Sequence, residues 1–115
     1  MENDKSQKDK DVPSGQVVKL TELVQYREGA IVPRIIIDKP NGSCRTVALD
    51  KGQERGEHTS PAEALVYILE GEAEIKVAGQ ANHLQQGDLI IIPANESHGI
   101  KALEKLKVFS VMVKS

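Results

Sequence analysis

From Gln16 onward the chain is a succession of short apolar runs cut by turn residues, with β-branched side chains concentrated in the runs. The runs are Val17 to Leu20, Ile31 to Ile37, Cys44 to Leu49, Ala62 to Leu69, Ala73 to Val77, Asn82 to Leu84, Asp88 to Ile92, Ile100 to Leu103 and Val108 to Val113. They predict nine short strands. The breaks between them carry turn chemistry, as in Pro40-Asn41-Gly42, Asp50-Lys51-Gly52, Glu70-Gly71 and Gln86-Gly87-Asp88, where Gly or Asn adopts positive φ at little cost. Connections this tight imply antiparallel pairing. Only Thr21 to Glu28 has room for helix, at most two turns before Gly29.

Two runs differ in how they meet their surroundings. Glu72 to Val77 alternates charged and apolar residues strictly, the mark of a strand with one wet face. Leu89 to Ile92 does not alternate and ends at Pro93, which reads as a strand covered on both faces by a neighbouring sheet or subunit. The fold class expected is all-β, an antiparallel sandwich or closed barrel, because so many short strands must hide their edges.

Composition narrows the surroundings of such a barrel. A chain of 115 residues supports one core. Residues 1–15 carry only Met1 and Val12 among large apolar side chains, so they are expected to form a disordered tail ahead of one barrel domain over 16–115. The net charge of -2 and scattered lysines offer no basic field for nucleic acid. The longest uninterrupted apolar run, Ala64 to Leu69, is far below the ~20 residues of a membrane span. The charged start of the chain has no apolar core of a secretory signal, and the lone Cys44 excludes an intrachain disulfide. A cytoplasmic location is the expectation.

The candidate chemistry lies in two segments. Gly52 is followed after five residues by His58, and then by Tyr67-Ile68-Leu69-Glu70-Gly71; Gly87-Asp88 is followed by Pro93 and His98. The paired spacing resembles the two motifs of the small single-barrel cupins, over roughly residues 16 to 115. The resemblance implies a double-sheet jelly-roll barrel of roughly six to eight strands, usually dimeric, with a pocket inside the barrel and a metal held by three histidines and one glutamate.

Transferred position by position, the match is half complete. The leading histidine of the first motif falls on His58 and that of the second on His98. The first motif's other histidine falls on Ser60 and its glutamate on Ala64, with Glu63 one place early. The glycine after the proline falls on Asn95, which tolerates the same backbone conformation, and the motif's terminal asparagine falls on Ala102. Strand parity places Ser60 and Ala64 on the face of His58, and sends Glu57 and Glu63 away from it unless Pro61 introduces a bulge.

His58, Ser60 and His98 are therefore the expected ligand pocket, with His58 and His98 as metal ligands if a divalent transition metal (zinc, nickel, iron or copper) is bound. Two neutral, hydrogen-bonded histidines that coordinate nothing are the plain alternative. Alternation sends His83 outward, and Tyr67 serves wall packing or a dimer contact. Arg34 and Arg45 interrupt apolar strands; such an arginine snorkels or pairs with a carboxylate, and one directed inward could hold an anionic substrate.

Three functions compete. The first is a cupin that binds a small molecule without robust catalysis. The second is a metal-dependent oxygenase or isomerase using His58 and His98. The third, metal-free acid–base catalysis, lacks an inward carboxylate. With only Tyr26, Tyr67 and Phe109 as aromatics, the ligand expected is small and aliphatic or polar. A homodimer is expected, through the N-terminal strand or the Ile90 and Ile92 face.

Overall fold

In the computed structural model, residues 12–114 are described. Two antiparallel sheets face each other. Strands β1 (Ile31–Lys39), β2 (Gly42–Leu49), β4 (Glu63–Glu70), β7 (Leu89–Ile92) and β9 (Leu106–Val113) form a five-stranded sheet in the order β1-β2-β9-β4-β7. The other four, β3 (Glu54–His58), β5 (Glu72–Val77), β6 (Gln80–Gln85) and β8 (His98–Ala102), form a sheet in the order β3-β8-β5-β6. The all-β class expected from the run pattern and the jelly roll implied by the resemblance are both the fold. Among the described residues no helix is long and apolar enough to cross a membrane.

The alternation read from the sequence sets which faces meet. In β4, Ala64, Val66 and Ile68 are buried while Glu63 and Tyr67 are exposed, and in β5 Ala73 and Ile75 are buried. Leu49, Ile68, Ile75 and Leu106 are almost completely buried, and Ala64, Leu84, Ile92 and Val108 join them in one core. At roughly 1.5–3 kcal/mol for each large aliphatic side chain removed from water, these few residues supply much of the force that closes one sheet over the other.

Three expectations are corrected. Val17 to Leu20 is not a strand: Val17 is fully exposed, and the segment leads into a single 3-10 turn at Leu20–Glu22, which is also all that forms of the helix allowed over Thr21 to Glu28. Nor can the Ile90 and Ile92 face meet a partner, because Ile92 is buried in the core and Ile90 packs against it. The face left open belongs to Leu89 and Ile91, which are 53% and 48% exposed, so β7 is covered on one side only within a single chain. Third, β3 carries no apolar residue and lies outside the nine runs; its sequence Glu-Arg-Gly-Glu-His is held as a strand by pairing with β8. Of the expected disordered tail, residues 1–11 lie outside the described residues.

The segment from Thr21 to Tyr26 is tied along the outer face of the five-stranded sheet. Arg34 donates to the Leu23 carbonyl at 3.1 Å, Lys107 Nζ to the Thr21 carbonyl at 2.7 Å, and the Tyr26 hydroxyl to the Glu70 carboxylate at 2.7 Å. Lys107 Nζ also lies 5.0 Å from the Tyr26 ring centre, a cation–π contact. Burial first, and then the Glu70 carboxylate as hydrogen-bond partner and as negative charge, hold the Tyr26 hydroxyl well above its usual acidity range.

Candidate functional site

The site begins with an irregularity in β3. Arg55 pairs with Ile100 and His58 with His98, so three residues of advance on β3 match two on β8. That extra residue is a β-bulge. It lies at Gly56 and Glu57, opposite Gly99, where an added Cβ would come within 3.0 Å of the Arg55 carbonyl oxygen and 3.2 Å of the Glu57 nitrogen. The backbones close on each other there because residue 99 has no side chain. In a regular strand, residues three apart point to opposite faces. The bulge lets both Arg55 and His58 line the interior.

The second motif is fastened to the first by backbone. Asn95 adopts φ 68°, the left-handed conformation that its sequence position led us to expect, and its N–H donates to the Ser60 carbonyl at 2.7 Å. Ser60 Oγ accepts from the Ala62 N–H at 3.2 Å. The chain then enters β8 with His98 directly opposite His58, their ring centres 4.3 Å apart and their planes inclined by 55°.

Each imidazole is oriented by a carbonyl two residues before it. His58 Nδ1 lies 3.2 Å from the Gly56 carbonyl oxygen, and His98 Nδ1 lies 3.0 Å from that of Glu96. A carbonyl oxygen can only accept, so the neutral form of each ring is the tautomer with its proton on Nδ1 and its lone pair on Nε2.

These side chains open onto a cavity of about 240 Å³ between the sheets. His58, Ser60, Ala64 and His98 line it together, with Val47, Leu49, Ile75 and Ile92 among its apolar walls. The carboxylates near the motif stay outside. Glu57 accepts a hydrogen bond from Ser97 at 3.2 Å and lies 3.9 Å from Lys76, and Glu63 is exposed on the outer face of β4. Pro61 supplies no rescuing bulge; the irregularity lies earlier, in β3, and leaves Glu57 outward. His83 also faces out, 3.2 Å from Glu72.

Two arginines complete the lining. Of the pair singled out in apolar strands, Arg34 turns to the outer face and bonds the Leu23 carbonyl, whereas Arg45, one strand over and opposite in parity, lines the cavity. Arg55 was missed by strict alternation from His58, which places it outside. Gly56 was the available signal, since glycine within a strand often marks a bulge. Burial, and next the like charge of Arg55, hold the Arg45 guanidinium below the usual arginine range.

The residues present do not fit the four-ligand metal set implied by the resemblance. Ser60 and Ala64 stand at two ligand positions, and no group of three His, Cys, Asp or Glu side chains converges among the described residues. What remains is a pair of pre-oriented imidazoles in a partly apolar cavity that also holds two guanidiniums.

Comparison with known proteins agrees with this fold. The chain matches the family model described as Cupin domain over residues 45–112, and it belongs to that family. A conserved protein of unknown function from Streptococcus pyogenes is 32% identical, with a TM-score of 0.86 over 90% of this chain and 91% of that one. A Cupin 2 conserved barrel domain protein from Leptotrichia buccalis is 33% identical, with a TM-score of 0.80 over 83% of this chain and 46% of that one. KdgF from a Halomonas species is 25% identical, with a TM-score of 0.71 over 79% of this chain and 84% of that one. No protein with a curated description matches.

Proposed function

We propose that this chain is a small-molecule-binding cupin whose ligand occupies the cavity between the sheets, in contact with His58, Ser60 and His98. The observation that carries the reading is the cavity itself, about 240 Å³, in which those three polar residues converge on an otherwise largely aliphatic wall. Binding requires none of the missing metal ligands. A screen of small metabolites by methyl-detected NMR tests it: hits should shift Ile75, Ile92, Ile100 and Met112, and Ala64→Phe, which fills the cavity, should abolish those shifts. Hits that map to the outer surface, or persist in Ala64→Phe, would refute it.

A second reading, a metal held by His58 and His98 in a metal-dependent enzyme of the oxygenase or isomerase type, is favoured by one observation. Both Nδ1 atoms are tied to carbonyls, which orients the rings and leaves Nε2 of each free to coordinate. Metal content per chain by plasma mass spectrometry, after incubation with iron, nickel, copper and zinc, separates the readings. Near-stoichiometric metal that disappears in His98→Ala supports the second; metal far below stoichiometry leaves the first.

The proposed partner in assembly is a second copy of this chain. Tyr67 pairs with Phe109 and Leu89, and Leu65 with Val111 and Ile91, giving a continuous apolar patch on the outer face of the five-stranded sheet. The Ile91→Lys variant should shift the light-scattering mass from dimer to monomer, and an unchanged mass would remove this face from consideration.

A further inference from the structure

The charge of the cavity wall points to a chemical class of ligand. Two arginines and two histidines line the cavity and no aspartate or glutamate does. A cation drawn partly out of water is costly unless it is paired, and proteins ordinarily answer it with a carboxylate. Here the answer is missing: neither Arg45 nor Arg55 forms an ion pair with a described residue, and Arg45 Nε is buried without a hydrogen-bond partner. Arg55 sits at the rim, where Glu54, Glu57 and Glu74 border a shallow outer groove that it also lines, yet none of the three reaches its guanidinium. Arg45, half-buried, and Arg55, exposed at the rim, line the same partly open cavity.

We infer that the ligand is a small organic anion, a carboxylate with a short aliphatic body, whose carboxylate is held by Arg45 and Arg55 and whose chain lies on the aliphatic wall. Guanidinium donors match a carboxylate in bidentate geometry, and an anion between them relieves their mutual repulsion. Val47, Leu49, Ile75 and Ile92 then cover the aliphatic part, for which a compact, fully hydrated anion has no use. The volume of about 240 Å³ is below the ~300–1,000 Å³ of drug-sized pockets, so the body is short. Ser60 Oγ and the imidazole Nε2 atoms remain to hydrogen-bond a further polar group on it. The inference rests on the binding reading above and adds the charge and class of the ligand.

Hexanoate, hexanamide and inorganic phosphate, titrated separately into the full chain and followed by methyl and arginine side-chain NMR, test it. Hexanoate should shift the cavity methyls and bind at least about tenfold more tightly than hexanamide, the margin expected of charge-assisted hydrogen bonds. That preference should fall to within about twofold in Arg45→Met and in Arg55→Gln; the second variant keeps the test valid if the first, in a central strand, does not fold. Equal binding of hexanoate and hexanamide at the cavity methyls would overturn the anion inference and leave the binding reading standing. Phosphate binding as tightly as hexanoate would overturn the carboxylate class. No shift at the cavity methyls with any probe would overturn the inference and, if the wider screen also finds nothing there, the binding reading with it.

Discussion

Replacing Gly71 and Gly79 by alanine, one at a time, separates two costs that a glycine in a turn can carry. Gly79 turns the β5–β6 hairpin and Gly71 the corner from β4 in one sheet to β5 in the other, both with positive φ, 91° at Gly71 and 83° at Gly79. Forcing an L-residue into left-handed backbone costs roughly 1–2 kcal/mol, of which about 0.4–1 is returned because alanine restricts the unfolded chain. Gly79→Ala should therefore destabilise by about 1 kcal/mol, since nothing lies within 4 Å of the added methyl. At Gly71 the methyl would run into the Lys105 carbonyl oxygen and come within 3.0 Å of Leu106 Cα. Those atoms are backbone leading into β9, and Leu106 is completely buried, so they cannot step aside without disturbing the core. Overpacking of that kind costs a further 1–3 kcal/mol, which brings Gly71→Ala to about 2–4 kcal/mol, still within a usual stability of ~5–15 kcal/mol. Urea unfolding followed by far-UV circular dichroism measures both variants. A difference below about 0.5 kcal/mol between them would refute the claim that the loop before β9 packs against the Gly71 turn.

Other consequences follow from individual contacts. The N–H groups of Gly29 and, next, Lys51 donate to the Asp50 carboxylate at 2.7 and 2.9 Å and hold it below the usual carboxylate range. Its folded-state value is depressed, so its contribution to stability is present above about pH 3.9 and is lost as pH falls through the lower folded value. The melting-temperature gap between the parent protein and Asp50→Asn should narrow on acidification below about pH 4, and a constant gap would contradict the assignment. Lys107→Met removes the bond to the Thr21 carbonyl and the contact with Tyr26, and should speed amide exchange at Val24 at least about tenfold while leaving Ile68 and Ile75 protected. Equal exchange at Val24 would show that other contacts hold this segment. Since Ser60 shares the cavity with both imidazoles, Ser60→His should tighten zinc binding at least about tenfold in chelator competition; no gain would mean that residue 60 does not reach the two rings.

How much of this was legible in the sequence depended on whether a segment carried a phase. Where alternation is regular, as over Glu72 to Val77 and from Ala64 to Ile68, it fixed which side chains enter the core. The same parity placed Ser60 and Ala64 beside His58, and sent His83 out. A run such as Leu89-Ile90-Ile91-Ile92 has no internal phase, so its inner face was assigned to a partner. The register settles it, because Ile92 lies across from Ala64, which is inside. The stretch Val17 to Leu20 is apolar enough for a strand, but the five-stranded sheet already ends at β1 and β7, and nothing pairs with it. Glu54 to His58 shows the reverse. It holds no apolar residue to announce it, and its strand character comes from β8, whose paired residues lie 40 to 47 positions further along the chain.

The site was harder to read than the fold for one physical reason: its electrostatics depend on a single inserted residue. With perfect alternation, His58 inside means Arg55 outside, and the cavity would hold one arginine. The bulge opposite Gly99 reverses that parity and brings a second guanidinium to the rim. At Ala64, the position of the family's glutamate ligand, the cavity has a methyl group and no negative charge. Both features move the interior toward positive charge. A divalent cation between the two imidazoles would meet two guanidiniums and no carboxylate, whereas an anion would meet the donors of both guanidiniums. The two histidines retained at motif positions therefore count for less than the charge of the wall around them.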